Sequence, residues 1–309
     1  MSVCLFTHKT CLLHDPGRFH PESPWRLRAL LDALAETSLP WAKTKEIPNQ
    51  ATAEQLVWIH EPSYVDWVLS YRGKHGKIDA ETILSPASVD AALWAAGGAV
   101  AAVDEVLEGR TKTAWVLGRP PGHHAGTRRG MGFCVFNHVA LGVRWALNRG
   151  VTRVAILDID VHHGNGTQEI FWNDPNVLFI SSHQNNLFPA IGGTADENGG
   201  PDARGTNLNM PMSAGAQDDD FMRVWTELAE PVLDHFRPQL MFVSAGFDAH
   251  IDDPLGGLAV TEQGYARFSK WLQQAADRWT QGRSVWVWEG GYDGQALKDC
   301  FLACLRTWE

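Results

Sequence analysis

The sequence predicts an α/β protein in which helices cover both faces of one parallel sheet. Five short apolar runs recur along the chain, and they are nearly continuous rather than alternating, which is typical of strands buried on both faces. Longer segments with helical periodicity lie before, between and after these runs, as expected for a parallel sheet built from strand–helix units. No linker rich in Pro, Gly or Ser divides the chain, so we expect residues 1–309 to form a single domain.

The predicted strands are rich in β-branched and aromatic side chains. They lie at residues 114–117, 154–159, 177–181, 240–244 and 284–288. The predicted helices are the longer segments with apolar residues at helical spacing. They lie at residues 87–108, 137–149, 218–235, 262–281 and 295–308.

Composition excludes several classes of protein. The 309 residues include 26 Lys plus Arg and 36 Asp plus Glu, for a formal net charge of −10, which argues against nucleic-acid binding through phosphate contacts. No apolar run reaches the roughly 20 residues that span a bilayer, so we expect no membrane insertion. Five cysteines without zinc-ribbon spacing indicate a reducing compartment. These observations together predict a cytoplasmic protein. The long helices and the 14 tryptophans permit a homo-oligomer but do not require one.

A chemically dense turn follows each predicted strand. These turns occupy residues 118–124, 158–166, 181–183, 244–248 and 288–292. Because ligands bind at the carboxyl ends of the strands in open parallel sheets, the five turns are expected to line one crevice.

Two of these turns contain a candidate metal site. Asp158, Asp160 and His162 are spaced by two, so on an extended strand their side chains would face the same way. Together with Asp248 from another turn, Asp160 and His162 would make a three-ligand site of the kind that leaves a coordination position open for catalysis. Oxygen and nitrogen ligands without thiolate suit Zn²⁺, with Fe²⁺ as an alternative. A surface turn that binds no metal is the competing interpretation.

Three further polar residues fit hydrolytic chemistry beside such a metal. Hydrolysis needs a base for water and an acid for the leaving amine, and the adjacent His123 and His124 can divide that work. Asp158 and Asn165 are available to orient them. Tyr292 follows two glycines and could stabilise a developing oxyanion, although a lone Gly-Gly-Tyr is more often a packing turn.

Two aromatic residues are candidates for the wall of a narrow slot. Phe133 and Phe188 lie in turns near these motifs, and such a slot would suit an extended alkyl chain. Packing in the core is the competing interpretation for each of them.

Six motifs resemble one known family, in family order. The resemblance begins at His-Pro-Glu-Ser-Pro (20–24), and the six motifs are Pro-Gly-His-His-Ala (121–125), Gly-Phe-Cys-Val-Phe-Asn (132–137), Asp-Ile-Asp-Val-His-His-Gly-Asn-Gly (158–166), Ser-Ala-Gly-Phe-Asp (244–248), Asp-Pro-Leu-Gly-Gly (253–257) and Glu-Gly-Gly-Tyr (289–292). The chain therefore resembles the histone deacetylase superfamily, in particular its class II-like members and their bacterial relatives, which include acetylpolyamine amidohydrolases.

The resemblance implies an arginase-deacetylase fold with a roughly eight-stranded parallel sheet. It also implies a zinc-dependent amidohydrolase in which Asp160, His162 and Asp248 bind the metal. His124 would be the general base and then the general acid, and Tyr292 would bind the substrate carbonyl.

The resemblance assigns the remaining site residues as well. His123, paired with Asp158, would act mainly through its charge, and Phe133 and Phe188 would wall a substrate tunnel. A structural K⁺ or Na⁺ would lie near Asp158, Asp160, His162, Ser181 and Ser182.

Several features bear on the substrate. Asn165 occupies a position where class I enzymes carry Asp, which should lower the pKa of His124 relative to theirs. Polyamine-selective relatives carry an acidic residue where this chain has Leu255, which favours acylated lysine in proteins or peptides, with acetylpolyamine as the alternative. Asp15 and Glu22 are candidates for contact with a remote ammonium, although a solvated turn is the favoured interpretation. The glycine-rich stretch at 199–205 is irregular for the family, which leaves the tunnel rim near Phe188 unpredicted.

Two other classes of protein fit the motifs less well. A ureohydrolase with two manganese ions would need more bridging carboxylates than Asp160 and Asp248 offer, and it would leave Tyr292 without a role. A catalytically silent protein that binds acylated amines should have lost a ligand, a histidine or the tyrosine, and the sequence retains all of them.

Overall fold

Eight parallel strands form the central sheet of the computed structural model, which describes residues 3–309. Including two strands outside this sheet, the strands of residues 3–309 are, in chain order, β1 (Val3–Thr7), β2 (Ala42–Glu46), β3 (Gly76–Lys77), β4 (Ile83–Leu84), β5 (Thr113–Leu117), β6 (Val154–Asp158), β7 (Val177–Gln184), β8 (Asn207–Met212), β9 (Leu240–Ala245) and β10 (Ser284–Trp288). Their order across the sheet is β2-β1-β5-β10-β9-β6-β7-β8, and β3 and β4 form a separate antiparallel pair.

Helices connect the strands. In chain order they are α1 (Pro24–Glu36), α2 (Ala53–Leu56), α3 (Pro62–Leu69), α4 (Ser88–Leu107), α5 (His138–Asn148), α6 (Asn165–Phe171), α7 (Asp218–Arg223), α8 (Glu230–Phe236), α9 (Glu262–Trp279) and α10 (Gly294–Arg306). A 3₁₀ turn at Lys9–Leu13 precedes α1.

Alternating side chains of the buried strands point into two cores, one on each face of the sheet. Trp115 and Trp286 stack at 4.3 Å in the core that is covered by α1 and by the helices from α7 to α10. Val116 and Val287 belong to the opposite core, which α3, α4 and α5 cover. Helices on both faces leave the carboxyl edge of the sheet to the loops, and those loops carry the polar turns.

The predicted central strands are confirmed with small shifts in their ends, but β1, β2 and β8 were not predicted. The two edge strands lack the apolar signal of buried strands, because β2 has four mostly exposed residues of sequence Lys-Thr-Lys-Glu and β8 contains Pro211. Charge and proline are typical of edge strands, which have a neighbour on one side only.

The helix predicted over 218–235 is interrupted. A π-helical segment at Val224–Ala229 separates α7 from α8. Pro231 lies just after it and has no backbone N–H for the regular bond to residue 227, so a wider turn is accommodated there. Among residues 3–309, no helix is both long enough and apolar enough to cross a membrane.

Candidate active site at the carboxyl edge of the sheet

The five polar turns meet at one edge of the sheet, as the sequence predicted. Four of them are turns at the ends of β5, β10, β9 and β6, whereas residues 181–183, which were predicted as a turn, lie within the carboxyl-terminal half of β7 (Val177–Gln184). These five strands are consecutive neighbours in the middle of the sheet. The strands are buried along almost their whole length, so each turn starts from a fixed position.

Asp160, His162 and Asp248 each contribute one atom to a common cluster. Nδ1 of His162 lies 2.9 Å from Oδ1 of Asp160 and 3.2 Å from Oδ2 of Asp248, and the three ligand atoms all lie within 4.8 Å of one another. The other oxygen of each carboxylate accepts a hydrogen bond from the backbone. The N–H of Gly290 donates to Oδ2 of Asp160, and the N–H of Val161 donates to Oδ1 of Asp248, each at 2.9 Å. The three side chains are therefore oriented toward one point.

Asp158 lies beside this cluster but contacts a different partner. Strand β6 ends at Asp158, so Asp160 and His162 lie in the following turn and not on an extended strand. The expectation that all three side chains face the same way from a strand is wrong for this reason. Oδ2 of Asp158 instead accepts a hydrogen bond from Nδ1–H of His123 at 3.0 Å.

The charges of the cluster favour a bound cation. Burial raises the pKa of Asp248, and the neighbouring Asp160 carboxylate raises it further. Burial alone would lower the pKa of His162, but its hydrogen bonds to the two carboxylates outweigh burial and raise that pKa to about 10. The two carboxylates thus stabilise positive charge at this point.

The donor set fits zinc. Two ligands bound to tetrahedral zinc at 2.0–2.1 Å lie about 3.3 Å apart, which is close to the separations between His162 and its two carboxylate neighbours. Two carboxylates, one imidazole and no thiolate also suit other first-row divalent ions, including Fe²⁺.

His123 and His124 have opposite electrostatic environments. Burial lowers the pKa of His123, but the Asp160 and Asp158 carboxylates outweigh it and raise the pKa well above its usual range. Burial, with the positive charges of His123 and His162, holds the pKa of His124 well below its usual range. Nδ1–H of His124 donates to Oδ1 of Asn165 at 2.8 Å, which leaves Nε2 of the neutral ring free to accept a proton.

Tyr292 follows a backbone segment that approaches the cluster closely. A side chain at Gly290 would collide with the Asp248 and Asp160 carboxylates, and Gly291 has φ +117°, so both positions require glycine. Burial raises the pKa of Tyr292 well above its usual range, which keeps the phenol protonated as a hydrogen-bond donor.

A narrow cavity of about 180 Å³ opens onto these groups. It is smaller than the sites that bind drug-sized ligands, and so it suits a single extended chain. His124, His162 and Tyr292 line it together with all three side chains predicted for the tunnel, Phe133, Phe188 and Leu255. A larger depression of about 640 Å³ around Trp58 contains none of these residues.

The residues predicted for a monovalent cation are adjacent and buried. Asp158 and Ser181 are paired in register on β6 and β7, and the buried Oγ of Ser182 has no hydrogen-bond partner within residues 3–309. Oxygen atoms of this kind fit a hard cation such as K⁺ or Na⁺.

Sequence reasoning missed several residues that shape the site. Oε2 of Glu289 accepts hydrogen bonds from the backbone N–H groups of Gly122 and His123, at 2.6 and 3.2 Å. His123, Cys134 and Glu289 also come close enough to resemble a metal cluster. Because the Glu289 carboxylate is used by backbone donors, and burial keeps the Cys134 thiol protonated by raising its pKa, we interpret this group as a scaffold for the histidine pair.

Glu81 was also missed. It is exposed and lines the cavity together with Gly132 and Leu187. No sequence motif marks it, because it reaches the site from the short β3–β4 region rather than from the carboxyl end of a central strand.

Glu22 neither faces a substrate nor lies in a solvated turn, so both interpretations of this residue are wrong. Its side chain is fully buried, and its two carboxylate oxygens accept hydrogen bonds from Arg119 at 2.6 and 2.7 Å. Arg26 and His14 also contact it, at 3.2 and 2.9 Å. Glu22 therefore neutralises buried cations inside the protein, whereas Asp15 is exposed.

Comparisons with known proteins agree with this geometry. A family model described as the histone deacetylase domain matches residues 20–308. The chain is 40% identical over 287 residues to a probable deacetylase from Archaeoglobus fulgidus, an alignment that covers 92% of this chain and 80% of the relative. It is 38% identical over 289 residues to a histone deacetylase-like amidohydrolase from Pseudomonas aeruginosa, with coverage of 93% and 75%. The crystal structure of the HDA15 HD domain is similar with a TM-score of 0.93 and 34% identity, covering 99% of this chain and 87% of that chain.

Proposed function

Because the chain belongs to the histone deacetylase family, and so to a family of deacetylases and amidohydrolases, we propose that it is a zinc-dependent enzyme that removes acetyl groups from lysine side chains in proteins or peptides. We further propose that residues 1–309 act as a single deacetylase domain. One observation carries the proposal: a narrow cavity ends at a three-ligand cluster, a histidine pair with opposite pKa shifts and a protonated tyrosine.

The proposed metal ligands are Asp160, His162 and Asp248. Bound there, zinc would act as a Lewis acid that polarises the substrate carbonyl and acidifies a water molecule. The proposed K⁺ or Na⁺ at Asp158, Ser181 and Ser182 would have a structural role.

The protein's own residues would manage the protons. Nε2 of His124 would accept a proton from water as the water oxygen attacks the acetyl carbon, and it would then give this proton to the leaving amine as the C–N bond breaks. Asn165 holds the ring of His124 in the tautomer that this requires. The products are acetate and the free amine.

His123 and Tyr292 would stabilise the negative charge on the carbonyl oxygen. The phenol O–H of Tyr292 would donate a hydrogen bond to that oxygen. His123, kept positively charged by Asp158 and Asp160, would contribute through its charge without transferring a proton. Phe133, Phe188 and Leu255 would exclude water from the alkyl chain of the substrate.

An acetylpolyamine is the second candidate substrate, and Glu81 is the observation that favours it. This exposed carboxylate lines the cavity and could attract the distal ammonium of a polyamine. Leu255, at the position where polyamine-selective relatives carry an acid, favours acetyl-lysine.

Acetate release from an acetyl-lysine peptide and from an acetylpolyamine, measured side by side with zinc-loaded protein, tests the proposal. We expect the peptide to have the higher kcat/KM, and Glu81→Gln to change peptide turnover little. The exposed Glu54→Gln is the matched control.

Preference for the polyamine, with a loss of that preference in Glu81→Gln, would replace acetyl-lysine with acetylpolyamine as the substrate. No acetate from either compound, with zinc bound, would contradict the proposed reaction and favour a protein that only binds acylated amines.

A further inference from the structure

One buried carboxylate is bonded to two different walls of the cavity. Asp253 lies in the loop after β9 and is 5% exposed. Its Oδ2 accepts a hydrogen bond from the backbone N–H of Tyr292 at 2.6 Å, and its Oδ1 accepts one from the backbone N–H of Leu255 at 2.9 Å. Tyr292 and Leu255 both line the cavity, although they belong to loops after different strands.

The backbone before Tyr292 needs such an anchor. Gly290 and Gly291 precede it, and glycine has more backbone conformations available than any other residue. Arg26 restrains this segment from another direction, because its Nε donates to the carbonyl of Gly291 at 2.7 Å and its guanidinium lies 4.4 Å from the centre of the Tyr292 ring. Asp253 is bonded to the N–H of Tyr292 itself, so it restrains the tyrosine's own main chain.

Hydrogen bonds to a buried carboxylate are well suited to this restraint. Each of its two oxygens accepts one backbone N–H, and the 2.6 Å bond to Tyr292 is at the short end of the range for N–H···O bonds. The backbone N–H of Asp253 also donates to the carbonyl of His250 at 2.9 Å, which fixes the loop that carries the carboxylate.

We propose that Asp253 is a positioning residue that couples the cavity wall at Leu255 to the phenol of Tyr292. Through its two bonds, the position of the tyrosine depends on the position of the loop that contacts the alkyl chain of the substrate. The inference rests on the proposed function, and specifically on the role of Tyr292 in holding the carbonyl oxygen.

Asp253→Asn tests the coupling. An amide has one acceptor oxygen, so its NH₂ group must face either the N–H of Tyr292 or that of Leu255, and one of the two bonds is lost. We expect kcat for the acetyl-lysine peptide to fall by about 10- to 100-fold, because small displacements of a reacting group have effects of this size. We expect KM to change much less, because the loss is confined to the transition state.

A double-mutant cycle separates positioning from a general structural role. If Asp253 acts through the phenol, adding Asp253→Asn to Tyr292→Phe should cause almost no further loss of kcat. Asp252→Asn is the matched control, because this neighbouring carboxylate has a side chain that is 72% exposed. We expect it to leave kcat, KM and the cycle unchanged.

The outcomes are distinguishable. Unchanged kcat in Asp253→Asn, or an equal fold-loss in the wild-type and Tyr292→Phe backgrounds, would overturn the inference about Asp253 alone. Near-normal turnover of Tyr292→Phe would instead overturn the role proposed for the tyrosine. If thermal unfolding shows that Asp253→Asn does not fold, the same cycle is run with Asp253→Glu, which keeps the charge but displaces the two acceptor oxygens.

Discussion

At the scale of single residues, the different roles proposed for the two histidines, His123 and His124, follow from the groups that surround them. His123 has carboxylates around it and is charged, whereas His124 is buried beside other imidazoles and has an amide as its partner. Two titratable groups whose pKa values are driven in opposite directions are typical of an acid–base site. The neutral ring of His124 is the form that can accept a proton from water.

Asn165→Asp tests this assignment through pH dependence. A carboxylate at Nδ1–H of His124 favours the imidazolium, so it raises the pKa of His124. The neutral, active form then predominates only at higher pH, and the acid limb of the kcat/KM profile moves upward. A movement of one pH unit lowers kcat/KM on that limb by about tenfold. The measurement is a pH–rate profile of wild type and variant.

The control for that profile is Asn176→Asp, which adds the same charge at an exposed position. An acid limb that stays in place in Asn165→Asp, or that moves equally in the control, would contradict the role of His124 as the base.

The sequence predicted the residues that carry chemistry much better than those that hold them in place. Asp160, His162 and Asp248 belong to recognisable motifs, and the structure brings them together. Asp253 and Glu289 lie in the motifs Asp-Pro-Leu-Gly-Gly and Glu-Gly-Gly-Tyr, but their roles could not be found in the same way. They accept hydrogen bonds from backbone N–H groups, and the sequence does not show which backbone segments meet them in the fold.

At the scale of secondary structure elements, Asn137 connects the start of α5 to the histidine loop. Its side-chain oxygen caps the helix by accepting from the N–H of Ala140 at 2.9 Å. Its amide nitrogen donates to the carbonyl of Ala125 at 3.1 Å and to Oγ1 of Thr167 at 3.0 Å. The loop after β5 is thereby attached to both α5 and α6.

Asn137→Ala should therefore lower the free energy of unfolding by more than the loss of an ordinary helix cap does. We expect the free energy of unfolding to fall by about 2–4 kcal/mol, because the cap is lost and buried partners are left unsatisfied. Thr52→Ala is the matched control, since Thr52 is an exposed cap of α2 and should cost about 1 kcal/mol. Denaturant unfolding measures both, and equal losses would contradict the connecting role of Asn137.

Most strands with a strong apolar signal were predicted, but β1 was missed although its sequence Val-Cys-Leu-Phe-Thr is apolar and almost entirely buried. Elements defined by their surroundings were not predicted. Strand β10 was predicted with its observed ends because all its residues are buried. Strand β2 is a strand because it pairs with β1 at the edge of the sheet, and its own charged sequence gives no indication of this. The π-helical segment likewise depends on Pro231. The sequence shows that this proline interrupts the helical pattern, but it does not show which backbone geometry results.

At the scale of the whole molecule, the arginase-deacetylase fold expected from the resemblance is confirmed by the eight-stranded parallel sheet and by the similarity to a solved structure. The strand order places the five chemically dense turns side by side at the middle of one edge. The order of the strands across the sheet depends on long-range packing, which the sequence pattern does not specify. The sequence therefore predicted that the polar segments meet at one edge, but not how they are arranged there.

The central claim is that Asp160, His162 and Asp248 hold the zinc on which deacetylation depends. Metal content and acetate release, measured on the same preparations before and after chelation, test it most directly. We expect about one zinc per chain, as for a single three-ligand catalytic site, loss of turnover on chelation, and recovery when zinc is returned. Asp248→Asn should lower both zinc content and turnover, whereas the exposed Asp252→Asn should change neither. Undiminished turnover by metal-free protein, or full zinc content in Asp248→Asn, would contradict the claim.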